Sequence, residues 1–508
     1  MNDSTLYIFS FLHFLSLGGL AIYGAHRLWL VWLWSRELRR LQPPLPDLPG
    51  QRDLWPRVTV QLPLYNERFV ARRLIDAAAC LDWPVDRLEI QVLDDSSDDT
   101  IQIIDHCAGH WQAQGVNITV LRRPQRQGYK AGALAFGMER AEGDLLAIFD
   151  ADFIPTTDFL QRTVPCFADP DVGMVQTRWG FLNEQHNWLT RVQSLLLGPH
   201  FGIEHFVRCR RGLFFNFNGT AGIWRRAAIA SAGGWQADTV TEDLDLSYRA
   251  QLAGWQFRYL NDVVVPSELP VTLAAFRTQQ QRWAKGSLQT ARKILPRVLN
   301  SSQPLAVKFE AAAHLLANFG WVLGAVVLLT LYPTIMWRSG IGPYQILRLD
   351  VPLFCGSSLA ILFYFFCYAL LQKDRQRLLR LPLVPLVSLG LAPILGLSAL
   401  AGLVSRGGVF VRTPKFGILG GESLPLAFFL YHQRTVFHAG INGVLLVYSL
   451  LPVLFAWRQG TWLAIPFLLV FSSGFLLLIW QELRDRGQQL TVEEKEMDGL
   501  QAEREWSK

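Results

Sequence analysis

Charge is scarce in this chain of 508 residues: Asp, Glu, Lys and Arg supply 18% of it, while half is hydrophobic, an unusual balance for a soluble protein. Its six cysteines (Cys80, Cys107, Cys166, Cys209, Cys355 and Cys367) include no CxxC pair and no regular spacing, which argues against a zinc site or a disulfide framework and suits reduced thiols. No GxGxxG follows the first β-like run and no GxxxxGK[ST] occurs, so neither a dinucleotide fingerprint nor a P-loop is available to hold phosphate. Nucleic-acid modules are also missing. The formal charge of +6 comes from basic residues flanking apolar runs, as membrane-surface contact requires.

Long apolar runs are what the chain has instead. They cover Leu6–Ala25, Ala313–Met336, Val351–Leu371, Leu381–Val404, Phe437–Ala456 and Trp462–Trp480, each near the ~20 residues a helix needs to cross hydrocarbon. The first is followed by Arg36, Arg39 and Arg40, and positive charge after the run marks a signal anchor rather than a cleaved leader. By the positive-inside rule the amino terminus lies outside and the next polar block lies in the cytosol, with Trp29, Trp32 and Trp34 as interfacial anchors. Leu381–Val404 contains Pro382, Pro385 and Pro393, so it is expected to re-enter or lie at the interface with an interrupted backbone, leaving five crossings and a cytosolic carboxyl terminus. The chain then divides into an anchor at 1–35, a cytosolic domain at 36–306, membrane helices at 307–482 with a cytosolic loop at 405–417, and a charged tail at 483–508.

Within the polar block, Val58–Pro63, Leu88–Asp95 and Asp144–Asp150 read as strands, the last two ending in carboxylates, with helical stretches over Glu67–Cys80 and from Ala131. Strand, helix, strand with acids at strand ends describes an α/β sheet, and open α/β sheets bind ligands at the carboxyl ends of their strands. Asp150-Ala151-Asp152 offers the hard oxygen ligands that Mg²⁺ or Mn²⁺ shares with water and substrate phosphates, with Asp152, joined by Asp150, as the metal site. Asp94 or Asp95 is placed to hydrogen-bond the base or ribose of a nucleotide, with Tyr65 and Glu67 of the Pro63–Glu67 segment beside it and Lys130 reaching in from Gly128-Tyr129-Lys130. Asn218, Gly219 and Thr220, amid aromatics and amides, suit a sugar-binding loop.

Thr241-Glu242-Asp243 opens a helical stretch, and acids there fit a helix start on structural grounds alone. The chemical reading makes Asp243, with Glu242 beside it, the base that removes a proton from an acceptor hydroxyl. Gln279 and Arg282 in Gln279-Gln280-Gln281-Arg282-Trp283 share one helical face. Arg282 then stabilises a departing diphosphate, and Trp283 stacks on a sugar.

Taken together, Val60–Glu67, Gln91–Ser96, Gly128–Leu134, Ala147–Phe153, Phe217–Gly222 and Gln279–Trp283 resemble the processive family-2 glycosyltransferases, most narrowly the plant cellulose-synthase-like glucomannan and xyloglucan-backbone synthases. The resemblance implies an α/β GT-A glycosyltransferase domain, a mixed sheet flanked by helices, inserted in an α-helical transmembrane bundle. It also implies a divalent metal, a nucleotide-sugar donor, a growing glycan acceptor and inversion to a β-linkage in a plasma or Golgi-type membrane. Asp152 serves the metal and the chemistry, Asp243 is the base, and Gln279, Arg282 and Trp283 meet the diphosphate and acceptor. Phe410-Val411-Arg412-Thr413-Pro414-Lys415 resembles the FxVTxK gating loop of bacterial cellulose synthase, with Arg412 in place of its valine and Thr413 or Lys415 on the diphosphate. The expected function is polymerisation of a β-linked glucan, mannan or glucomannan from UDP-glucose or GDP-mannose. The alternative is transfer of one sugar to diacylglycerol or ceramide.

Overall fold

The computed structural model describes residues 3–40, 48–338, 343–372, 374–409, 411–419 and 435–506, so Phe410 of the loop motif lies outside the described residues. Among the described residues seven strands form one sheet: β1 (Val58–Leu64), β2 (Leu88–Asp94), β3 (Ile118–Arg122), β4 (Leu145–Ile148), β5 (Val172–Phe181), β6 (Gly222–Arg225) and β7 (Gln256–Ser267). Their spatial order is β3-β2-β1-β4-β6-β5-β7. β1 pairs in parallel with β2 and β4, and β2 with β3; β6 runs antiparallel to β4 and β5, and β5 parallel to β7. The sheet is mixed, as expected.

β1, β2 and β4 are buried almost throughout, which is why they read as continuous apolar runs rather than as alternation. Helices cover them by the other period: Ala71–Ala79 buries Ala71, Leu74, Ile75 and Ala78, one stripe at 3–4 spacing. That helix starts four residues later than its sequence pattern implies, because Asn66 turns the chain away with φ 55°. The direction of travel across the sheet reverses at β1, which has β2 on one side and β4 on the other. Such a switch opens a crevice at the carboxyl ends of those strands, where Tyr65, Asp95 and Asp150 follow.

One apolar cluster fills the sheet face under helix Ala71–Ala79. A second joins Leu146, Ile148 and Trp224 of the sheet to Leu30 and Leu33 of the first helix and to Tyr364 and Phe365 of a membrane-length helix. Each fully buried large side chain is worth about 1.5–3 kcal/mol, so the domain is cemented to its membrane helices rather than tethered by a linker.

Six helices among the described residues are long and apolar enough to cross a membrane: Ser4–Glu37, Phe319–Arg338, Arg348–Leu371, Leu383–Val404, His438–Arg458 and Trp462–Gly487. The interrupted backbone expected around the prolines of the fourth is not found. Pro382 is the residue before the helix and Pro393 alone falls in its interior; Pro385 sits in the first turn, where an N–H has no helical acceptor. Both ends of this helix lie against the α/β domain. Before it Arg377 pairs with Glu184 at 2.8 Å, and after it Gly407 N donates to Asp238 O at 2.6 Å and Gln289 Nε2 to Gly407 O at 2.8 Å.

Candidate active site

The crevice at the sheet's carboxyl edge is an open cleft of about 1260 Å³, solvent at its mouth included. The segment after β1 supplies Tyr65 and Glu67 to its wall, that after β2 Asp95, that after β4 Asp150 and Asp152, and the helix Glu242–Leu252 supplies Glu242 and Asp243. Lys130, Asn218 and Gly219 line it from loops and helix starts, Gln279, Arg282 and Trp283 from the helix Leu273–Leu299, and Thr413 and Lys415 from the loop after Leu383–Val404. Residues spread over 350 positions of sequence thus share one cavity.

Two expected site residues sit beneath the wall. Asp94 is buried, accepting from Arg122 Nε at 2.8 Å and from Ser96 N at 2.9 Å, while Asp95 faces the cleft in a two-pronged pair with Arg123. Thr220 is buried, and its hydroxyl accepts from Asp150 N at 2.8 Å, orienting the first carboxylate of the Asp150-Ala151-Asp152 run.

Each acidic group has a cationic neighbour. Lys130 Nζ donates to Asp150 Oδ1 and, at 2.7 Å, to Gly219 O; burial opposes its charge, but Asp150 and Glu242 hold it above the ordinary lysine value. Lys415 Nζ donates to Asp152 Oδ2 and to Glu268 O, both at 2.7 Å. Burial pushes Asp243 up to about 7 with the Glu242 carboxylate adding to it, and burial raises Glu242 too, against the pull of Lys130. An acid poised near neutrality suits a proton acceptor. Burial lowers Arg282, which Glu242, Asp150 and Asp243 oppose, and the residue lines the same cleft as those carboxylates. Gln279 Oε1 and Thr413 Oγ1 are buried with no hydrogen-bond partner among the described residues.

Backbone strain gathers at the same place. Asn66 (φ 55°), Tyr129 (φ 50°) and Ala221 (φ 53°) are the non-glycine residues with left-handed backbone among those described, and each lies within two residues of a cleft-lining residue. Such strain persists where surrounding contacts over-determine it, a pattern typical of ligand sites. Gly219 takes φ +81°, and a Cβ there would come within 3.0 Å of Asp243 Oδ2.

Several cleft residues went unmarked in sequence. Arg126 lays its guanidinium 3.3 Å from the Tyr65 ring centroid, a cation–π contact. Trp179 and Phe181 of β5 form an aromatic wall with Phe153. Glu268 accepts from Phe416 N at 2.8 Å and Gly417 N at 2.9 Å while its own N–H donates to Asp152 Oδ2 at 3.2 Å, fastening the loop to the domain. At the far end of the chain, Glu482 pairs with Arg277 and Asp485 accepts from Leu273 N at 3.1 Å, so the last long helix grips the start of the helix carrying Arg282. Only the Trp179–Phe181 alternation offered a sequence signal, as successive outward positions on one strand.

The donor set tests the metal expectation. Among the described residues no group of three or more His, Cys, Asp or Glu is gathered closely enough to hold an ion by itself. Asp150 and Asp152 are hard ligands of the kind that bind Mg²⁺ or Mn²⁺ jointly with substrate phosphates, so they fit an ion that arrives with its diphosphate.

Residues 145–372 match the family described as glycosyl transferase family group 2, and residues 59–230 match glycosyl transferase family 2. Glucomannan 4-beta-mannosyltransferase 2 of Arabidopsis thaliana is 45% identical over 273 residues, 53% of this chain and 51% of that protein. Glucomannan 4-beta-mannosyltransferase 1 of Oryza sativa subsp. japonica is 44% identical over 283 residues, 54% of each. The chain thus matches about half the length of these curated relatives. Among solved structures, the mannosyltransferase PcManGT from Pyrobaculum calidifontis in complex with GDP-Man and Mn²⁺ is 20% identical, with 70% of this chain and 100% of that one covered and a TM-score of 0.48.

Proposed function

Because the chain carries family-2 glycosyltransferase domains, we propose that it is a membrane-embedded inverting glycosyltransferase. In this reading it builds a β-linked glucan, mannan or glucomannan from a nucleotide sugar and passes it through its own membrane helices. The observation that carries the proposal is the convergence of Asp150, Asp152, Glu242, Asp243, Arg282 and Trp283 on one cleft. The names of the relatives favour a mannosyl donor, GDP-mannose, over UDP-glucose.

Asp243 takes the proton of the acceptor hydroxyl as that oxygen bonds to the anomeric carbon. The bond from that carbon to the diphosphate breaks on the opposite face, which inverts the centre, and the nucleoside diphosphate leaves with the electron pair. Arg282 and Lys130 meet the charge that develops, the kind of preorganised contribution that is usually the largest in catalysis. Mg²⁺ or Mn²⁺ held by Asp152 and Asp150 would neutralise the diphosphate. Trp283, with Trp179 and Phe181, provides the apolar faces on which acceptor sugar rings stack.

The helix Leu383–Val404 is read as lying at the cytosolic interface rather than crossing. A helix of 22 residues is about 33 Å long, yet both its ends touch the α/β domain. Five crossings then place the loop bearing Thr413 and Lys415 on the donor's side of the bilayer. Purified protein in detergent or vesicles, given labelled GDP-mannose and UDP-glucose with Mg²⁺ or Mn²⁺, is expected to yield an insoluble polymer degraded by β-mannanase or β-glucanase. A product that extracts into organic solvent and never exceeds a few sugars would refute polymer synthesis.

A further inference from the structure

The helix Leu273–Leu299, which presents Gln279, Arg282 and Trp283 to the cleft, is pinned at its first turns by residues 205 and 212 positions further along the chain. Leu273 N belongs to the first turn, where no helical carbonyl is available to accept from it, and it donates to Asp485 Oδ2 at 3.1 Å. A carboxylate there also meets the positive end of the helix dipole. One turn on, Arg277 pairs with Glu482, each only 3% exposed. Asp485 is itself held, accepting from Gln481 Nε2 at 2.6 Å, while Gln481 Oε1 accepts from Trp188 Nε1 at 2.6 Å. Gln481, Glu482 and Asp485 all belong to Trp462–Gly487, the last membrane-length helix.

This junction is already well packed, since Leu273 and Phe276 share an apolar cluster with Val387, Leu391, Leu395 and Leu478. A buried ion pair adds little net stability over an apolar substitute, and its best-attested use is to fix register. Roll matters here because Arg277 and Arg282 stand about 140° apart around the helix, one meeting the last helix and the other lining the cleft. A roll of about 10° moves a side-chain tip about 6 Å from the axis by about 1 Å, and misplacement on that scale costs about a hundredfold in rate. Further along, Gly286 sits so close to Thr241 that a Cβ would meet its Cγ2 at 2.4 Å. The same helix is thereby tied to the segment bearing Glu242 and Asp243.

We infer that Glu482 and Asp485 are positioning residues for Arg282: from the last membrane-length helix they set the roll and register of the helix that brings Arg282 to the donor's diphosphate. The inference rests on the glycosyltransferase reading and extends it, making the end of the membrane bundle part of what recognises the leaving group. Neither residue lines the cleft, so both act through the helix that carries Arg282.

Full-length protein in detergent with Mg²⁺ is titrated calorimetrically with GDP and GMP, and with UDP and UMP. Arg282 meets the departing diphosphate, whose outer phosphate the monophosphates lack, so the ratio of diphosphate to monophosphate affinity reports its placement. General damage would weaken both alike. Arg277→Met combined with Glu482→Met replaces the buried pair by apolar side chains and is expected to melt at or above the wild-type temperature; Asp485→Asn keeps the shape and drops the charge. Each should lower the ratio at least about fivefold, a partial loss of one charge-assisted hydrogen bond, with monophosphate affinity within about twofold of wild type. Asp485→Glu should restore part of the ratio. In an Arg282→Met background the same changes should lower it no further, because residues acting through one contact are not additive. An unchanged ratio in folded variants, an equal fall for both kinds of nucleotide, or a full further loss on top of Arg282→Met would each overturn the assignment. If the methionine pair does not fold, the isosteric Asp485→Asn decides it alone. Folded wild type that binds none of the four nucleotides would instead sink the glycosyltransferase reading.

Discussion

Replacing Asp243 with asparagine separates its chemical role from its structural cost. The carboxyl is raised from 3.8 to about 7 by burial and then by Glu242. Three pKa units correspond to about 4 kcal/mol, a ceiling that water in the cleft reduces, so about 2–4 kcal/mol is the working figure. Below pH 3.8 both folded and unfolded states hold the proton and no penalty exists. Between that pH and about 7 the unfolded chain releases the proton while the folded one keeps it, so wild-type stability falls through this window, and the penalty is complete above it. Asparagine keeps the acceptor for Leu244 N, 2.9 Å away in wild type, and cannot ionise. Asp243→Asn should therefore melt higher than wild type at pH 8, by 5 °C or more on the scale of about 2–4 °C per kcal/mol, and by distinctly less at pH 5. Sugar transfer should drop by about 10²–10⁴ with donor binding retained. Tryptophan-fluorescence melts at the two pH values and a labelled-donor assay read both effects. Turnover within tenfold of wild type would refute the base assignment, and a stability difference indifferent to pH would refute the burial argument.

Gly219→Ala should lower the melting temperature, because its φ of +81° strains any side chain, and should also reduce turnover of the folded protein about a hundredfold, because its Cβ would press on Asp243 Oδ2 at 3.0 Å and small misplacements of reacting groups cost that much; steady-state kinetics below the variant's melting range checks it. Lys415→Met removes the ammonium now on Asp152, so Mn²⁺ should bind more tightly in the absence of nucleotide, by calorimetry, even as turnover falls. Trp283→Ala is expected to raise the KM for added oligosaccharide acceptors at least tenfold and leave calorimetric nucleotide affinity unchanged.

Much of the cleft was legible because its parts stand at strand ends, where topology delivers them to one edge whatever the intervening length. Asp95, Asp150 and Asp152 are of this kind. Asp94 and Asp95 stayed indistinguishable in sequence because neighbouring strand positions point to opposite faces, and only the packed sheet shows that Asp94 turns inward to Arg122. Thr220 likewise belongs to the sugar-loop motif but bonds beneath it. Glu268, Arg126 and Glu482 act through partners 149, 61 and 205 residues away, and no local pattern encodes such pairings. The prolines of Leu383–Val404 misled for a different reason: their effect depends on which turn they occupy.

The ammonium of Lys415 on Asp152 gives the loop a second consequence. The carboxylate proposed to recruit a divalent ion has an internal counter-ion, delivered by a segment pinned through Glu268. Metal, nucleotide and loop are then thermodynamically linked, each displacing or drawing in the others. An ion arriving at Asp152 would have to displace that ammonium, so occupancy of the carboxylate and the seating of the loop against Glu268 are coupled.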